Sequence, residues 1–174
     1  MKREELRALL REAPYDAMVL TSEISRRYAT GFHSTAGAVY LSADQAVFYT
    51  DFRYVEAARA AVSGFEVREI GSGRSYSAVI NELIGQDGVK KIALEDKQMT
   101  YAEYMSWSSA LHAAAMRLED GVERLRITKE DDEVGRIAAA QRIAERALEE
   151  VLNDIRIGVT EKEVAARLTY LMLH

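Results

Sequence analysis

Apolar positions along the first 125 or so residues switch repeatedly between two spacings. Leu6, Leu9 and Leu10 recur at helical intervals through residues 2–12, and Pro14 ends that run. Residues 16–20, Asp-Ala-Met-Val-Leu, read as a buried strand. Ser22 is placed to cap a short helix through Tyr28, which Gly31 closes. Strand-like runs follow at 37–41 and 45–50, and Ser42-Ala43-Asp44 between them suits an antiparallel hairpin. Next come an alanine-rich helix over 52–62 with Gly64 as its stop and a strand from Phe65 to Ile70. A turn at Gly71-Ser72-Gly73 leads to a helix over 75–84, and a turn at Asp87-Gly88 leads to a strand from Lys91 to Leu94. Thr100 and Glu103 form a capping box that opens a helix to about Ala114, and Met116 to Leu118 reads as a last strand.

Helix and strand in alternation, with one hairpin among them, predict an α/β fold. The expectation is a mixed five- or six-stranded sheet covered by helices and occupying residues 1–127. From Thr128 onward the strand signal vanishes. Thr128 is the expected cap of a helix whose first turn, Glu130-Asp131-Asp132-Glu133, suits the positive end of the helix dipole. Its apolar stripe is Val134, Ile137, Ala138, Ala144, Ala147, Leu148, Val151, Leu152 and Ile155. Gly158 breaks the run, and Thr160 with Glu163 forms a second capping box. That second helix is still apolar and periodic at Leu171-Met172-Leu173-His174, so residues 128–174 read as two helices opening a truncated second domain.

Composition narrows the function classes. The 174 residues are 48% apolar and 29% charged, which suits a packed core and excludes intrinsic disorder. A net charge of −5 argues against nucleic-acid binding, which needs a surplus of Lys and Arg. Without cysteine there are no disulfides, thiol catalysis or cysteine-held metals. No apolar run is long enough to span a membrane, and no signal-peptide core follows Met1, so a cytoplasmic protein is expected.

Residue chemistry by itself assembles no complete active site. His33, His112 and His174 never fall at the four-residue spacing of a zinc-peptidase helix, and no Gly-x-Ser-x-Gly elbow surrounds any serine. His112 reads as structural or solvent-exposed within a helix. The Gly71-Ser72-Gly73-Arg74 segment reads as a plain turn, because it lacks the lysine of a phosphate loop. Consecutive acids at 130–133 point to different sides of a helix and cannot converge on one ion. Asp51 reads as a helix cap, with Arg53 free to pair across a surface. His33 lies in a loop entering a strand, where an ordinary loop histidine and a functional one are both open readings.

Two stretches carry a resemblance. One is Arg27-Tyr28-Ala29-Thr30-Gly31-Phe32, the hairpin after it, and Thr50-Asp51-Phe52-Arg53-Tyr54. The other is Leu125-Arg126-Ile127-Thr128-Lys129-Glu130 with the Ile157-Gly158-Val159-Thr160-Glu161 turn. Together they resemble the amino-terminal half of the creatinase, prolidase and Xaa-Pro aminopeptidase family, in which an α/β domain precedes a "pita-bread" catalytic domain. The resemblance implies a parent that hydrolyses Xaa-Pro bonds with a pair of manganese, cobalt or zinc ions. Two Asp, one His and two Glu hold that pair in the catalytic domain, and none of the five maps onto this chain. The chain alone is therefore expected to be inactive, without catalytic or metal-binding residues, and its melting temperature is expected not to respond to Mn²⁺.

The resemblance further implies roles in oligomerisation and in walling the substrate pocket. The loop after the Tyr-x-x-Gly-Phe motif would do the latter, with His33 or Ser34 donating a hydrogen bond to the peptide. Phe52 departs from the glycine frequent before Arg-Tyr, and Thr128-Lys129 departs from Lys-Ser or Lys-Thr. Two other readings remain: a protein-binding module without catalysis, and the amino-terminal half of a creatinase-like amidinohydrolase. The exposed helical stripe predicts a two-fold homodimer.

Overall fold

The computed structural model describes residues 2–174, and the chain divides into two compact units, one ending at Ile127 and one starting at Thr128. In the first, the strands are β1 (Ala17–Leu20), β2 (Ala38–Ser42), β3 (Ala46–Thr50), β4 (Glu66–Glu69), β5 (Lys91–Leu94) and β6 (Ala114–Arg117). The helices are α1 (Lys2–Glu12), α2 (Glu23–Thr30), α3 (Val55–Ala61), α4 (Tyr76–Asp87), α5 (Tyr101–Ala110) and α6 (Gly121–Ile127). The six strands form one mixed sheet in the order β4-β3-β2-β1-β5-β6. Only β2 runs against its neighbours: β1–β2 and β2–β3 are antiparallel, whereas β1–β5, β5–β6 and β3–β4 are parallel. One edge of the sheet thus carries five strand carboxyl ends together with the amino end of β2.

The reversal at β2 follows from the short hairpin. Ser42 donates its N–H to the Gln45 carbonyl at 2.9 Å, and its hydroxyl accepts the N–H groups of Asp44 and Gln45 at 3.2 and 3.0 Å. Strand alternation sends side chains to two cores. Val19, Tyr40, Tyr49, Ile92 and Leu94 pack with Val79, Ile80 and Leu83 of α4, while Met18, Leu20, Val39, Leu41 and Phe48 pack with Leu6, Leu10, Ala29, Ala58 and Val122 from α1, α2, α3 and α6. Central strands buried on both faces explain their unbroken apolar runs.

Several boundaries differ from expectation. Residues 121–127 form α6, which sequence periodicity did not predict, because its first position is a glycine. A Cβ on Gly121 would lie 2.9 Å from Leu9 and 3.1 Å from Leu118, so the close approach to α1 requires the residue that weakens the helix signal. The helix opened by Thr100 stops at Ala110, leaving His112 in the connection to β6. The helix expected from residue 52 starts at Val55, after a turn over 52–54.

In the second unit, α7 (Asp131–Val151) passes through a 3₁₀ turn (Leu152–Asp154) to α8 (Glu161–Leu173). Glu130, rather than Thr128, is the N-cap residue of α7, and its N–H bonds the Glu133 carboxylate at 2.9 Å. Thr160 and Glu163 form the expected capping box. Arg167 of α8 reaches Glu150 at 2.9 Å and Asp154 at 3.1 Å, pinning the helices together. Among the described residues of this unit only Ala147 and Val151 are buried, and Val134, Ile137, Leu148 and Leu152 are all more than half exposed.

Candidate functional site

The edge with the strand carboxyl ends carries the loop between α2 and β2, residues 31–37, and three anchors hold it. The first lies beneath it. Glu95, just after β5, is 3% exposed and accepts the N–H groups of Thr21 and Ser22 and the Ser22 hydroxyl, the last two at 2.9 Å. That fixes the entry to α2, whose N-cap Ser22 accepts the Ser25 N–H at 3.2 Å. One turn later Arg26, 4% exposed, donates to the Thr21 carbonyl and, at 2.6 Å, to the Ser34 carbonyl. Burial pulls the Arg26 guanidinium below the ordinary arginine range, while Tyr76, Glu23, Glu95 and Tyr54 pull it back up.

The second anchor is the helix end. Thr30 Oγ1 donates to the Arg26 carbonyl at 2.8 Å and accepts the Phe32 N–H at 3.1 Å, and Gly31 takes the left-handed conformation at φ 72°. The third is β3 and the turn after it. Thr50 Oγ1 donates to the Ala36 carbonyl at 3.1 Å, and the hydroxyls of Thr35 and Tyr54 lie 2.8 Å apart. Tyr54 stands edge-on to Phe32 with centroids 6.4 Å apart.

His33 projects from this held loop with its ring more than half exposed, and its Nε2 lies 2.7 Å from Glu23 Oε1. Ser34 is 2% exposed, and its hydroxyl has no hydrogen-bond partner among the described residues. The two loop residues are therefore brought together in sequence but face different surroundings. Asp51 does not cap a helix. It accepts the Arg53 N–H at 3.0 Å and the Arg53 guanidinium at 2.7 Å, which holds its carboxyl below the usual carboxylate range and leaves Arg53 committed. Phe52 between them is 77% exposed.

The family model for the Creatinase/Prolidase N-terminal domain matches residues 2–128. The chain belongs to this family. Over 173 residues it is 36% identical to the "Uncharacterized peptidase YqhT" of Bacillus subtilis, covering 99% of this chain and 48% of that one. An Xaa-Pro dipeptidase from Bacillus anthracis superposes with a TM-score of 0.92 at 36% identity, over 99% of this chain and 48% of that chain. An X-Pro aminopeptidase from Thermotoga maritima gives 0.81 at 30% identity, over 95% and 48%. The chain spans about half the length of these relatives.

In this Creatinase/Prolidase family member the other sequence candidates make local contacts of their own, His112 and Gly71–Arg74 in the first unit and His174 and Asp132 in the second. The His112 N–H bonds Asn81 Oδ1 at 2.8 Å, and His174 Nδ1 lies 3.0 Å from the Tyr170 carbonyl. Gly71 to Arg74 is a turn closed by the Arg74 N–H on the Gly71 carbonyl at 3.2 Å. Asp132 pairs with Arg136 at 2.8 Å along its own helix. Among the described residues no group of three or more His, Asp or Glu could hold a metal ion, and no helix is long and apolar enough to cross a membrane. Arg26 and Glu95 escaped the sequence reading. The buried face of α2 is Ser25, Arg26, Ala29 and Thr30, mostly polar, so hydropathy carried no signal for Arg26. Glu95 bonds residues 73 and 74 positions away and left none.

Proposed function

We propose that this chain is the amino-terminal, non-catalytic portion of an Xaa-Pro-specific metallopeptidase, serving to shape the substrate pocket and to build the oligomer. The observation that carries the reading is the exposed His33 ring on a loop held at three points. Glu23 beside Nε2 favours the tautomer with a proton there, which leaves Nδ1 an acceptor for a peptide N–H or terminal ammonium. Donation from His33, as first expected, then requires the imidazolium. Ser34, buried, acts in this reading through its backbone carbonyl and not through its hydroxyl.

The described residues gather no cluster that would fit a two-metal centre, so no hydrolytic step is assigned to them. A manganese, cobalt or zinc pair belongs, in this reading, to a catalytic domain that α7 and α8 introduce. A cytoplasmic parent is part of the same proposal.

The test is made on the full-length protein with added Mn²⁺. Xaa-Pro peptides should be hydrolysed, and His33→Ala should raise KM about tenfold, the value of one hydrogen bond near 1.4 kcal/mol, with kcat little changed. Should a folded, metal-loaded parent cleave no such peptide, the protein-binding module becomes the better account. Turnover of a small amidine-type substrate instead would assign the creatinase-like reading.

A further inference from the structure

Arg26 is an unusual residue to bury. A guanidinium taken out of water calls for compensation, yet among the described residues no carboxylate lies within salt-bridge distance of it, and two backbone carbonyls take its terminal nitrogens. Those carbonyls belong to different segments. Thr21 precedes α2 and Ser34 follows it, so one side chain ties the entry of the helix to the loop that leaves it. The Thr21 end is fixed in turn by Glu95, which holds the N–H groups of Thr21 and Ser22 from the end of β5. A chain of contacts thus runs from the sheet through residues 21–22 and the Arg26 fork to the Ser34 carbonyl, adjacent to His33.

We propose that Arg26 is the positioning residue for the 33–35 loop, with Glu95 as its base, and that this latch orients the His33 ring toward a peptide. The functional half of the claim rests on the reading of His33 given above. The latch acts through the backbone of Ser34. Removing the Ser34 hydroxyl therefore leaves it intact, whereas shortening or neutralising Arg26 releases it. Glu23 and His33, paired on the outer surface, then lose the fixed geometry that sets their contact.

Two measurements test the two halves separately. On the 174-residue chain, backbone order parameters of residues 33–35 should lie near the rigid value of about 0.85 and fall below about 0.6 in Arg26→Met, with β1 and β5 unchanged. Ser34→Ala should stay rigid. If Arg26→Met does not fold, Glu95→Gln, which keeps the shape of the base but removes its charge and one of its two acceptor oxygens, should loosen the same three residues by a smaller amount. A loop equally rigid in a folded Arg26 variant, or in Glu95→Gln where that variant is the one available, overturns the proposal.

On the full-length protein, Arg26→Met should raise KM for an Xaa-Pro peptide about tenfold at nearly constant kcat. The Arg26→Met/His33→Ala pair should be no worse than His33→Ala alone, the non-additivity expected of residues acting as a unit. Additive losses overturn the coupling. If His33→Ala leaves KM unchanged while Arg26→Met loosens the loop, the latch stands and the substrate role of His33 falls.

Discussion

Gly37 closes the candidate loop where no other residue fits. Its φ is 149°, and a Cβ there would come within 2.7 Å of the Phe48 ring and 2.8 Å of the Tyr49 carbonyl. Gly37→Ala should cost on the order of 1–3 kcal/mol in urea unfolding, strain and overlap acting together. A loss under a few tenths would show that the β2–β3 junction yields. Asp16 makes a prediction in pH. The N–H groups of Lys90 and Lys91, at 2.8 and 2.9 Å, hold its carboxyl below the usual carboxylate range. A folded value below the unfolded one stabilises fully above the unfolded value, near 3.9, and is lost as pH falls through the folded value. Asp16→Ala should therefore melt below wild type at pH 6, with the gap narrowing once the pH drops below about 4. A gap of constant size down to pH 2 would refute the linkage.

Among the elements, the two N-caps Ser22 and Thr100 look alike in sequence and differ in surroundings. Thr100 shares an exposed box with Glu103, so Thr100→Ala should cost about 1 kcal/mol. Ser22 caps α2 and also donates to buried Glu95, so Ser22→Ala should cost about 2 kcal/mol or more. Equal losses in denaturant titrations would mean Glu95 is content with two donors. Sequence periodicity was well suited to such local features. The bounds of β5, the Thr100 and Thr160 boxes and the Gly31 cap all depend on residues within one turn. It failed where a distant contact decides. The glycine opening α6 answers to Leu9 in α1. The start of α3 was missed for a local reason, since Arg53 takes the Asp51 carboxylate two residues away. Of the candidate site, His33 and its loop were legible as polar residues after a helix stop. The buried Arg26–Glu95 foundation was not, since it joins β5 to a helix far back in the chain.

For the whole molecule, the prediction concerns the exposed apolar positions after Thr128. Val134, Ile137, Leu148, Leu152, Ile155 and Leu173 are each more than half exposed, and exposed apolar side chains gathered into a patch drive association. The 174-residue chain should sediment as a dimer at about 100 µM, well above common interface affinities, and a monomer there would count against self-pairing. The lone reversed strand has a kinetic consequence as well. A hairpin with three connecting residues closes in roughly 1–10 µs, whereas joining β1 to β5 closes a loop of some seventy residues at an added entropic cost of about 2.8 kcal/mol. The β2–β3 ribbon should therefore nucleate folding, and the β1–β5 seam should zip late. Val47→Ala would then slow refolding, while Ile92→Val would chiefly hasten unfolding. Because Glu95 meets Thr21 and Ser22 only across that late seam, a chain emerging from synthesis has a formed ribbon well before it has a shaped His33 loop.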